Sequence, residues 1–138
     1  MASPDAVIDL HGLRRALNGA NAAVIAGIQN GSIAVFRNAR HDLEKAYPNL
    51  YALFQSIPGR KVYVDVTVPH KARAAVLLEQ YGASVFTRKP SISAFHELSV
   101  ALDEGLMLIS ADKGLFDLQQ IATKCGVGHN LLVNVTNL

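Results

Sequence analysis

Glu104-Gly105-Leu106-Met107-Leu108-Ile109-Ser110-Ala111-Asp112 is the stretch on which the fold turns. Leu106–Ser110 reads as one continuous buried strand, with a glycine just before it and an acid just after it. A strand without polar alternation is what a parallel sheet needs when helices cover both of its faces. Upstream, Ser91 or Ser93 can cap a helix that runs to Glu104 and stops at Gly105. Downstream, Leu115 to Lys124 reads as a helix ending before Gly126, and Leu131 to Val135 as a last strand.

The same alternation continues toward the N-terminus. Ala6-Val7-Ile8-Asp9-Leu10 reads as a first buried strand whose C-terminal end lies near Asp9. Leu13 to Ile28 has helical spacing, broken or bent near Asn18-Gly19 and ended by Asn30-Gly31. Ser32–Phe36 reads as a second strand, followed by a helix over Ala39–Ile57 that Pro48 divides. Lys61 to Val68 places Val62, Val64, Val66 and Val68 on one side and is the cleanest strand pattern in the chain. Pro69 opens a helix that ends at Gly82, and Ser84–Phe86 reads as a short strand. Strands alternating with helices from end to end predict an α/β fold of three layers, α/β/α, around a central parallel sheet with the first strand in its middle. With no repeat, linker or low-complexity segment, residues 1–138 read as one domain.

Half of the residues are apolar and 17% are charged, a globular composition that argues against disorder. Thirteen Lys and Arg against eleven Asp and Glu give a net charge of +2, so the overall field does not demand a nucleic-acid partner. The single cysteine, Cys125, excludes an intrachain disulfide and a Cys-rich zinc site, and reads as a small buried hydrophobe. The first residues lack the basic and apolar regions of a signal peptide, and no apolar run approaches the ~18 residues of a membrane span. The expected compartment is the cytoplasm, with no membrane partner. Gly19 and Gly27 fit neither dinucleotide nor P-loop spacing, and no serine elbow or Cys/His metal motif is present.

In open parallel sheets the functional crevice lies beyond the C-terminal ends of the strands. Asp9 and Asp112 fall there, and Asp42 sits in the first turns of the helix after the second strand. An acid at the lip of an apolar strand is costly unless it is hydrogen-bonded, paired or bound to a metal. Each acid also has a purely local reading: Asp9 and Asp112 as cap or turn residues, Asp42 as a carboxylate favoured by the helix dipole. Three carboxylates converging on one crevice would suit Mg²⁺ or Mn²⁺, and such a site can activate water against a phosphodiester. His11 and His96 are candidate ligands or acid–base groups that read equally well as structural histidines. Arg14, Arg15, Arg37 and Arg40 stand near strand ends or helix starts, where they would meet phosphates or simply face water.

Three segments resemble the PIN-domain family, which includes the VapC-like toxin ribonucleases. Val7-Ile8-Asp9 is similar to the family's opening strand and first catalytic Asp. Ser32–Phe36 followed by Ala39-Arg40-His41-Asp42-Leu43 resembles its strand and V-x-x-E-L helix start, with Asp42 on the family's Glu. The stretch quoted at the outset resembles its helix, Gly, apolar strand, Thr, x, Asp, with Asp112 on the Asp. The closing helix and strand, from Ile121 to Val135, also match, so the resemblance spans nearly the whole chain. It implies a Mg²⁺- or Mn²⁺-dependent endoribonuclease with Asp9, Asp42 and Asp112 at the metal. It also implies RNA as substrate, and leaves room for an antitoxin protein as partner and for a homodimer.

The chain departs from that pattern at four positions. Leu10 and His11 stand where the family has Thr or Ser and then Asn; Ala94 and Gly114 stand where it often has acids. Glu97 lies one helical turn beyond Ala94, on the same face, and is expected to replace the lost carboxylate. Two rival readings follow: a degenerate PIN-like domain that binds RNA or a protein without cutting, and a flavodoxin-like or receiver-like domain with an acidic pocket.

Overall fold

The computed structural model describes residues 3–82 and 89–138; the short strand expected over Ser84–Phe86 lies outside the described residues. The chain opens with β1 (Ala6–Ile8), which Asp9 ends by capping α1 (Leu10–Asn18). The helical stretch that follows is broken at residues 19–21, as the Asn18-Gly19 pair suggests. Asn21 caps α2 (Ala22–Asn30) by accepting a bond from the Val24 N–H at 3.1 Å. β2 (Ile33–Phe36) runs directly into α3 (Arg37–Ala46), and Pro48 is the first residue of α4 (Pro48–Ser56). Pro needs no partner for its missing N–H at that position, so the helix divides there, as Pro48 suggests.

β3 corrects the sequence reading. The clean alternation over Lys61–Val68 yields a strand of two residues, Tyr63–Val64. Among the described residues β3 pairs with β2 alone, and β2 turns into α3 at Arg37, so β2 offers no further extended residues to pair with. Val62, Val64 and Val66 still pack on the core, whereas Val68 begins α5 (Val68–Tyr81) and is exposed. α6 (Ile92–Glu104) is capped by Ser91, whose hydroxyl accepts from the Ala94 N–H at 3.2 Å. β4 (Met107–Ser110), α7 (Asp112–Cys125) and β5 (Leu132–Asn134) complete the fold. α7 starts three residues earlier than its apolar pattern suggests, so Asp112 is its first residue.

All strand pairs are parallel, in the order β3-β2-β1-β4-β5, with β1 central as expected. Val7 lies opposite Ala34 on β2 and Leu108 on β4. These three face a core layer built with Ala74, Leu77, Phe95, Leu98, Leu118 and Ile121 of α5, α6 and α7. Ile8, Val35 and Ile109 face the other layer, with Leu13, Val24, Ile28 and Phe54 of α1, α2 and α4. The result is the three-layer α/β/α architecture. α3 straddles the end of the sheet, giving Ala39 to one layer and Leu43 to the other. That placement holds the intervening Asp42 over the C-terminal edge of the strands. Among the described residues no helix is long and apolar enough to cross a membrane.

Candidate active site

Asp9 follows the last residue of the central strand and is almost wholly buried, at 1% exposure. Its Oδ1 accepts from the Gly12 N–H at 2.8 Å and its Oδ2 from the Ser110 hydroxyl at 2.6 Å. The local reading of Asp9 as a helix cap is therefore correct, and it coexists with a second bond that no local motif requires. Burial pushes the Asp9 carboxyl above its ordinary pKa, against the opposing pull of Ser110 and Gly12.

Glu97 projects from the second turn of α6 and is also buried. Among the described residues it makes no hydrogen bond. Its pKa is driven well above the ordinary glutamate value, first by burial and then by the negative charges of Asp9 and Asp42. Asp42 and Glu97 line one cleft of about 180 Å³ together with His11, Asn38, Ser93 and Gly114. Asp42 itself is solvent-exposed, so the cleft runs from an exposed carboxylate to a largely buried one.

Asp112 corrects the expected trio. It is exposed, its backbone adopts the left-handed conformation at φ +52°, and its Oδ1 meets Arg15 Nη1 at 3.1 Å. It is not part of the cleft lining. The charges that bear on Glu97 are those of Asp9 and Asp42, not that of Asp112. Among the described residues no three acidic, histidine or cysteine side chains, as they stand, are drawn together tightly enough to hold a metal ion.

Two of the departures noted in the sequence account for each other. A Cβ built on Gly114 would collide with the His11 ring, so the histidine fills the space where a side chain at position 114 would stand. Ala94 is buried beside the cleft, and Glu97 reaches it from the next turn, as the shared helix face suggests.

The remaining candidates divide. Arg14 lies 4.0 Å over the Tyr47 ring with its Nε buried and unpaired among the described residues, and Arg15 is taken by Asp112. Arg37, Arg40 and His96 line a separate groove. Cys125 is half-buried and donates its S–H to the Leu77 carbonyl at 3.4 Å, a packing role. Sequence reasoning missed Ser110, Asn38 and Asp117. Asp117 is buried on α7 and accepts weakly from the Ser91 N–H at 3.4 Å, joining α7 to the start of α6. For Ser110 a signal existed, since a hydroxyl at the polar end of an apolar strand needs a partner. Comparison with known family models and with curated proteins gives no match for this chain.

Proposed function

We propose that the chain is a divalent-metal-dependent ribonuclease of the PIN-domain type, with Asp42 and Glu97 as the cleft carboxylates and Asp9 behind them. One observation carries the reading: Glu97 is buried beside two other acids at the C-terminal edge of a parallel sheet, without a hydrogen bond among the described residues. A largely buried carboxyl beside two negative charges is held protonated, and a bound cation is the ligand that best offsets those charges. The donor set is all oxygen, which suits Mg²⁺ or Mn²⁺. The residues fit such an ion in chemistry, and the side chains must close on it to fit in arrangement.

When bound, the ion would supply an activated water and stabilise charge building on the phosphodiester. The chain's own groups do the rest. Ser110 and the Gly12 amide fix the Asp9 carboxylate, so it cannot swing away. Glu97 must give up a proton to serve as a ligand, which makes metal binding proton-coupled and stronger as pH rises. Asn38 and Ser93 offer neutral polar groups at the cleft wall for a substrate oxygen.

The second reading, a non-catalytic relic that binds RNA or protein, is favoured by the Asp112–Arg15 pair and by His11 occupying the space above Gly114. Calorimetric titration with Mn²⁺, paired with an RNA cleavage assay, separates the two. Wild type is expected to bind Mn²⁺, with Glu97→Gln and Asp42→Asn each weakening affinity by roughly tenfold or more, about 1.4 kcal/mol, and lowering cleavage in parallel. A wild-type protein that binds no Mn²⁺ at millimolar concentration would establish the relic.

A further inference from the structure

On the far side of Asn38 the acid cleft adjoins a wider groove of about 570 Å³. Asn38 lines both, so the two openings lie on either side of it. α3 contributes Arg37, Arg40 and His41 to the groove; Lys71 comes from the first turn of α5 and His96 from α6. The acid in its lining is Asp65, just after β3.

The charge here is not that of the whole chain, which is nearly balanced. Arg37, Arg40 and Lys71 face one carboxylate. Asp65 meets Arg37 Nε at 2.8 Å, and Arg40 reaches Glu44 at 3.5 Å; both pairs are at least partly exposed and weak enough to exchange for another anion. Lys71 has no ion-pair partner among the described residues. Its charge, after burial, lowers the pKa of His96, the mark of two basic groups set side by side. Two tyrosines hold the arginines across the groove wall: Arg37 lies 5.0 Å from the Tyr63 ring centroid and Arg40 5.4 Å from that of Tyr51. The Tyr51 hydroxyl accepts a bond from Arg40 at 2.7 Å. Guanidinium groups spread over aromatic faces are pre-organised for phosphate oxygens.

We propose that this groove carries the phosphate backbone of a single-stranded RNA into the acid cleft, with Lys71, Arg40 and Arg37 on the phosphates and Asn38 at the junction. The identity of the polymer rests on the ribonuclease reading; the anionic character of the ligand rests on the groove itself. A single strand is required because a cleft of about 180 Å³ admits part of one strand and not the paired bases of two. RNA outside a duplex also leaves its backbone free to follow a narrow groove.

The test uses the full chain in EDTA, with fluorescence anisotropy of a labelled RNA oligonucleotide offered as single strand and as duplex. Wild type should prefer the single strand. Lys71→Glu should lower affinity by about tenfold or more and flatten the dependence of log affinity on log salt by ~0.7 for each phosphate no longer neutralised. Lys71→Gln and Arg40→Gln, milder changes checked for folding by circular dichroism, should do the same to a smaller extent. Groove variants with wild-type affinity and salt slope, or a preference for the duplex, would overturn the proposal. The two readings fail separately. Unchanged RNA binding in the Lys71 variants sinks the groove while Mn²⁺ binding and cleavage stand. Groove-dependent RNA binding by a protein that takes up no Mn²⁺ sinks the nuclease and leaves the groove.

Discussion

Glu97 is the buried acid at the edge of the cleft, and its carboxyl is pushed well above the ordinary range. Its raised pKa has a definite consequence for stability. From the ordinary glutamate value of 4.5 up to the higher folded value, the folded chain holds a proton that the unfolded chain has already released. Stability therefore falls as pH rises through that window and stays low above it. Glutamine has no proton to lose. In EDTA, urea unfolding should find Glu97→Gln and wild type similar near the lower limit and the variant increasingly more stable toward neutral pH. A gap that does not change with pH would show that Glu97 is not a strained carboxyl. The sequence placed Glu97 on the correct helix face, and the spacing from Ala94 was enough for that. Asp9 was legible as a strand-end acid, but its bond to Ser110 spans 101 positions, and no local pattern reports a partner at that distance.

At the scale of elements, α1 lies hard against the strands it follows. Gly12 makes this contact possible: a Cβ there would stand 2.8 Å from the Ile109 carbonyl oxygen and 2.9 Å from Ile8 Cγ1. The obstacle is backbone, so it cannot rotate away. Gly12→Ala should destabilise the fold by about 1–3 kcal/mol despite alanine's better helix propensity, measured by urea denaturation. Unaltered stability would mean that α1 can lift from the sheet at little cost, loosening the Gly12 bond to Asp9 as well. Helix breaks were readable because Pro48 and the Asn18-Gly19 pair act locally. The length of β3 was not, because a strand ends where its neighbour does, and the Val62–Val68 alternation reports burial rather than pairing.

For the molecule as a whole, the order β3-β2-β1-β4-β5 sets a gradient of stability. Val7 and Ile8 in β1 are at 0% exposure and are paired on both sides, while Tyr63 and Val64 in β3 have one neighbouring strand among the described residues and are half-buried. Hydrogen exchange should find β1 and β4 amides opening only with global unfolding and β3 amides exchanging roughly 100-fold faster or more. Equal protection across the sheet would contradict this arrangement. The same order puts the ends of β2 and β3, and the helices that follow them, beside the acid cleft, which is why the basic groove adjoins it.

Alternation of apolar strands with amphipathic helices determined, by itself, a parallel sheet covered on both faces with β1 at its centre, because local periodicity and crossover handedness leave few other ways to bury those faces. It also put Asp9 at the end of the central strand. Which acids face one another was decided only in three dimensions. Side-chain direction at a strand end depends on the partner across the sheet: Ser110 turns Asp9 inward, and Arg15 holds Asp112 outward. The cleft thus belongs to Asp42 and Glu97, with the Asp9 charge behind them, and the groove beside it to side chains from α3, α5 and α6 that are distant in sequence and adjacent only once the sheet is assembled.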